Sequence, residues 1–113
     1  MKLLTKAIEK KLKPLYFYDG KEPQNIPVPL KIFNPWGSGT WYLWEYDPNE
    51  RVFFGACKLF EIELGYVSRD ELENLKVGPG KALPLERDKW WNGKTLEDVI
   101  DAEPGLNWLR DRR

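Results

Sequence analysis

The chain of 113 residues contains no histidine, one cysteine and one methionine, and its 18 basic and 18 acidic residues cancel to a formal charge of zero. Without histidine the common zinc-ligand sets cannot be assembled, and a lone Cys57 excludes an internal disulfide. Zero net charge removes the broad electrostatic footprint of a nucleic-acid binder and also the strong acidity of a DNA mimic. No apolar run approaches the roughly 20 residues needed to span a bilayer. The start Met1-Lys2-Leu3-Leu4-Thr5-Lys6 turns charged again too soon for a secretory signal. These absences lead to the expectation of a cytoplasmic protein with no membrane contact and no cofactor.

What is present suits one compact domain over residues 1–113: 42% of the chain is hydrophobic and 14% aromatic, enough for a core. Charge is unevenly spread. Residues 1–13 carry five lysines against Glu9, and residues 45–73 carry eight acids against Arg51, Lys58 and Arg69. Opposite patches of this kind face different partners, face each other, or serve as solvated surface.

Leu4, Ala7, Ile8 and Leu12 recur at helical spacing before Pro14, predicting an amphipathic helix over Thr5–Lys13 with its lysines outward. Proline-rich residues 18–29 read as an extended connection, and Val28 to Phe33 as an edge-type strand that closes in Asn34-Pro35-Trp36-Gly37-Ser38-Gly39. Thr40–Tyr46 and Arg51–Phe60, joined by Asp47-Pro48-Asn49-Glu50, read as an aromatic antiparallel pair. Glu61 to Tyr66 alternates acid and hydrophobe, a strand with one wet face. Ser68-Arg69-Asp70-Glu71 is a capping box that opens a helix to about Leu75. Ala82 to Asp88 reads as a further strand, and Thr95 to Ala102 as a second capped helix stopped before Pro104. The fold class is therefore α+β: a bent antiparallel sheet of four or five strands, with an SH3-like barrel as one form it could take, an N-terminal helix and two short C-terminal helices.

Thr40-Trp41-Tyr42 with Glu45, then Phe53-Phe54-Gly55, Glu61, Glu63-Leu64-Gly65-Tyr66, Ser68 and Glu71-Leu72 form a block that resembles the bacterial DUF2958 family, a domain of unknown function. Leu3-Leu4-Thr5-Lys6, Leu15-Tyr16, Pro84-Leu85-Glu86-Arg87-Asp88 and Lys94-Thr95-Leu96 are similar to that family's outer blocks, so the resemblance covers nearly the whole chain. It implies a small protein of plasmids and other mobile elements, often near antirestriction genes, and carries over no catalytic residue. Trp44, Trp90, Trp91 and the tail from Asp101 depart from the family's pattern.

Candidate chemistry is sparse. Glu45 with Asp47 and Glu61 with Glu63 are each two apart, so two pairs on adjoining strands could gather carboxylates for Mg²⁺ in a nucleic-acid-processing enzyme. They could equally form a solvated face paired with Arg51, Lys58 or Arg87. Phe53-Phe54-Gly55 after Arg51 shares an aromatic strand with RNA-recognition domains, but the local charge is negative and core packing is the better reading. Cys57, among Phe54, Ala56, Leu59 and Phe60, reads as a small buried hydrophobe.

The binding candidates are the tryptophans. Trp41 and Trp44 fall on opposite faces of one strand, so one ring should lie near the surface unless both faces are covered, while Trp36, Trp90 and Trp91 sit in turns and loops where rings meet solvent. Such rings beside Glu45 or Glu61 could also cage a cationic ligand. The expected function is a non-enzymatic accessory protein that binds another protein, linked through the resemblance to antirestriction or host defence. The alternatives are the Mg²⁺ enzyme and direct nucleic-acid binding through the lysine helix and the Arg110-Asp111-Arg112-Arg113 tail.

Overall fold

The computed structural model describes residues 2–111. In chain order the elements are α1 (Lys6–Glu9), β1 (Leu30–Phe33), β2 (Thr40–Asp47), β3 (Val52–Lys58), β4 (Ile62–Ser68), α2 (Arg69–Asn74), β5 (Lys76–Val77), β6 (Leu83–Pro84), β7 (Glu86–Arg87), α3 (Leu96–Ala102) and a 3-10 segment, Pro104–Asp111. The strands β1 to β4 form an antiparallel meander, and β7 returns to pair with β1, giving the order β4-β3-β2-β1-β7. This is the α+β class read from the sequence. The sheet has two ends, β4 and β7, and β5 and β6 make a separate small ribbon.

Local signals explain much of the element list. Ser68 caps α2 by accepting the Glu71 N–H at 3.2 Å, and Thr95 and Asp98 form a complete capping box at α3. Asp47 accepts N–H bonds from Asn49 and Glu50 and so builds the β2–β3 turn. Two expectations fail. The first helix is a single turn, because Leu12 is drawn into the core and Lys13 bridges to Glu45 beside β2. A lysine-rich turn with like charges at Lys6 and Lys10 has little propensity to resist that pull. Nor is β1 an edge strand: Pro29 lies just before its first residue, which leaves Leu30–Phe33 free to pair with β2 on one side and β7 on the other.

Strand β2 governs the rest. Leu43 pairs with Gly55 and Glu45 with Phe54, so Trp44 is an extra residue, a β-bulge. Before the bulge Trp41 and Leu43 face one side of the sheet; after it Tyr46 does, while Tyr42 and Trp44 face the other. Each side carries its own core. The first is closed by Leu3, Leu4 and Leu12, by Leu72 of α2 and by Leu85. The second is closed by Tyr18 and Ile26, by Leu96, Val99 and Ile100 of α3, and by Leu106 and Leu109 of the 3-10 segment. With helices and loops on both sides, Trp41 and Trp44 are both buried, at 5% and 3% exposure.

Gly55 lets the bulge close. A Cβ there would overlap the Tyr42 carbonyl oxygen and lie 2.8 Å from Leu43 Cα, both main-chain atoms that cannot swing aside. Gly55→Ala should therefore destabilise the protein by about 3 kcal/mol or more, read as a lowered midpoint in urea. A variant with unchanged midpoint would mean that the bulge does not need this close approach.

Candidate functional site

The bulge turns Glu45 into the protein. Its side chain is 3% exposed, with Oε1 accepting the Tyr16 N–H at 3.0 Å and Oε2 accepting the Tyr18 N–H at 2.9 Å. Tyr16 is held in the left-handed region, at φ 72°, which brings both amides toward one carboxylate. The Tyr46 N–H donates to the Lys13 carbonyl at 2.8 Å beside it, so the segment 13–18 is fastened along β2. Glu45 thus spends both oxygens on main-chain donors. Together with burial, its charge raises the Tyr18 hydroxyl above the ordinary tyrosine range, burial being the larger cause.

The other carboxylates lie elsewhere. Asp47 is engaged in its turn, Glu61 sits exposed in the β3–β4 turn, and Glu63 of β4 pairs with Cys57, on the face opposite Glu45. The gathering of Glu45, Asp47, Glu61 and Glu63 expected for Mg²⁺ is therefore corrected: the bulge turns Glu45 to the second face, and the turn takes Glu61 out of the strand. Among the described residues no three of His, Cys, Asp and Glu are grouped so as to hold a metal ion.

A second buried carboxylate, Glu103, ends α3. Its Oε2 accepts the Tyr42 hydroxyl at 2.9 Å and its Oε1 pairs with Lys58 Nζ at 2.8 Å, joining the C-terminal segment to β2 and β3. Burial and this bond push the Tyr42 hydroxyl well above its ordinary value near 10. Beside it, Lys31 Nζ lies 5.6 Å from the Tyr42 ring and 5.2 Å from the Trp91 ring, and 3.5 Å from Asp88. Lys31 already occupies the place that a cationic ligand would take beside these two rings.

The tryptophans divide into three groups. Trp41 and Trp44 belong to the two cores and offer no surface to a partner, which corrects the expectation that placed them among the binding residues. Trp91 is half-buried: its Nε1–H donates to the Val28 carbonyl at 2.7 Å and its ring leans on Tyr42. Trp36 and Trp90 are exposed, at 59% and 90%. Sequence reading missed Phe60, at 95%, with Leu59 beside it, because it ran the third strand through residues that instead form the β3–β4 turn. It also missed Trp108, half exposed on the 3-10 segment.

The family model described as "Protein of unknown function (DUF2958)" matches residues 3–100, which span the whole sheet and most of α3. The chain belongs to the DUF2958 family. No curated protein and no solved structure matches it. The DUF2958 match ends before the 3-10 segment, whose Leu106 and Leu109 nevertheless complete the second core. No helix among the described residues is long and apolar enough to cross a membrane.

Three measurements check this arrangement. Glu45→Gln keeps the shape but replaces one carboxylate oxygen with an amide donor facing another donor, and should destabilise the protein by about 1–3 kcal/mol in urea. Because the folded-state pKa of Tyr42 is raised, its contribution to stability is fully present below pH 10 and is lost as pH rises beyond it. The stability gap between wild type and Tyr42→Phe should accordingly narrow in alkali, and a constant gap would contradict the Tyr42–Glu103 bond. Burial, followed by the Glu63 charge, also raises the Cys57 thiol, so a thiol reagent should react slowly with the folded protein and promptly after denaturation.

Proposed function

We propose that this DUF2958 protein is a non-catalytic binding protein that grips another protein with one end of its sheet. The observation that carries the reading is Phe60, a phenylalanine left 95% exposed at the tip of a hairpin. Thr40 at the start of β2 pairs with Lys58 at the end of β3, so the β1–β2 loop and the β3–β4 turn leave the sheet at the same end. Trp36 in that loop, with Leu59 and Phe60 in that turn, gives this end three exposed apolar side chains. Aromatic side chains bury about 150–250 Å² each when covered, which is why they dominate protein contacts.

The acids Glu61 and Glu63 flank the same turn, so a partner with an apolar patch rimmed by lysine or arginine fits it best. The mobile-element setting that the family resemblance implies makes a host or plasmid protein concerned with restriction or other defence the first class of partner to seek. The carboxylates of the alternative enzyme reading are separated, and no other group of metal-ligating side chains among the described residues favours it.

The test is affinity capture of the tagged protein from lysate of its native host, with nuclease treatment, repeated with Phe60→Ala and Trp36→Ala. One protein retained by the wild type should be lost with both variants. With that partner purified, Phe60→Ala should weaken binding by about thirtyfold, as expected at a hot spot. Equal capture by wild type and both variants would overturn the assignment of this surface.

A further inference from the structure

The lysines of the N-terminal segment do not join the C-terminal tail, as a nucleic-acid surface built on both would require. Arg110 is engaged by Glu97 and Asp101, and Arg112 and Arg113 lie outside the described residues. Lys11 and Lys13 instead meet Arg87, Lys89 and Lys94 around one cleft of about 650 Å³, in which Asp88 is the only acid among the lining residues. The cleft lies between the N-terminal segment and the loop that joins β7 to α3, so its charges come from opposite ends of the sequence. This is why the formal balance of zero conceals it.

The surroundings sharpen the contrast. Among the described residues Arg51, Arg69 and Arg110 are neutralised by carboxylates, and Lys58 by Glu103. The one acid in the cleft, Asp88, is itself engaged: it pairs with Lys31, and its Oδ1 accepts the Trp90 N–H at 2.9 Å. Lys11, Lys13, Lys89 and Lys94 make no ion pair among the described residues. Arg87 holds the Lys2 carbonyl, which ties the N-terminal segment to the wall of the cleft.

Two rings accompany these charges. Trp91 lines the cleft, with its indole fixed by the bond to Val28. Trp90 lines a second cleft of about 590 Å³ that shares Arg87, Asp88 and Lys89 with the first, and the turn held by Asp88 presents it to solvent at 90% exposure. Unneutralised cations spaced along a groove, with indoles on either side of its wall, are what a flexible polyanion with flat bases requires: cations hold successive phosphates and rings stack on bases.

We propose that this double cleft binds single-stranded nucleic acid, with Lys11, Lys13, Lys89 and Lys94 on the phosphates and Trp90 and Trp91 against the bases. An acidic peptide would use the charges and leave the exposed indole idle. A duplex presents no open base faces to stack on. The second cleft borders the β1–β2 loop through Asn34, Gly37 and Gly39, but Phe60 of the β3–β4 turn lines neither cleft, so Phe60→Ala and Trp90→Ala tell the two readings apart.

The test uses fluorescein-labelled oligonucleotides of about 12 thymidines or 12 uridines, within the length that one small binding groove covers. Anisotropy should show binding, with tryptophan fluorescence quenched. With four phosphate contacts, the plot of log affinity against log salt should fall with a slope of about −3. Lys89→Glu with Lys94→Glu should weaken binding at least tenfold and roughly halve that slope. Trp90→Ala, at a position with no packing role, should weaken binding several-fold with the slope unchanged. Phe60→Ala should change nothing in this assay. The tighter of the two oligonucleotides identifies the preferred sugar. No binding at low salt, affinity untouched by these variants, or equal affinity for a polyglutamate peptide or for duplex DNA would each overturn the proposal.

Discussion

Two main-chain N–H groups donating to the buried Glu45 carboxylate hold this fold in register. The bond is available only because β2 carries one residue too many. The bulge at Trp44 rotates the strand so that Glu45, which simple alternation would place with Trp41 and Leu43, turns to the opposite face and meets Tyr16 and Tyr18. Gly55 across the ladder makes room for it. Remove the bulge and the consequences spread: Tyr46 leaves the first core, the N-terminal segment loses its anchor, and Leu3, Leu4 and Leu12 no longer have a fixed path to the sheet. Buried carboxylates are tolerated when their oxygens are satisfied by donors, and both here are satisfied, Glu45 by amides and Glu103 by Tyr42 and Lys58.

Short-range chemistry was legible in the sequence. The caps at Ser68 and Thr95 and the Asp47 turn all depend on residues within four positions of one another, and the structure contains each of them. The family resemblance was legible too, and it is shown over residues 3–100. Long-range demands were not legible. Leu12 looks helical by spacing but is claimed by a core built from residues up to Leu85. The bulge has no local signature in β2; its one trace is Gly55 within the β3 pattern, which in sequence belongs equally to the aromatic motif Phe53-Phe54-Gly55. Leu106 and Leu109, three apart after Pro104, likewise signalled a helical turn that composition alone passed over.

The tryptophans show the same division. Their number suggested a surface, yet two of the five candidates complete cores because α3 and the 3-10 segment cover a face that a simple hairpin would leave wet. What remains outside is arranged by sign. The hairpin end carries Phe60 with Glu61 and Glu63, while the β7–α3 loop carries Trp90 with Lys89 and Lys94. A neutral chain has in this way separated an acidic, apolar end from a basic, aromatic cleft, and neutrality of the whole says little about either.

The two cores also differ in when they can be made. A growing chain has every member of the first core, from Leu3 to Leu85, roughly two dozen residues before it reaches Leu109 of the second. At synthesis rates of about 5–20 residues per second, that interval is on the order of one to five seconds. During it one face of the sheet has its full complement of side chains and the other, bearing Tyr42 and Trp44, still lacks the cover of α3 and the 3-10 segment. Synthesis pauses between these residues would lengthen the time that indole spends exposed, making the order of translation, and not only the finished structure, a determinant of how much protein escapes aggregation.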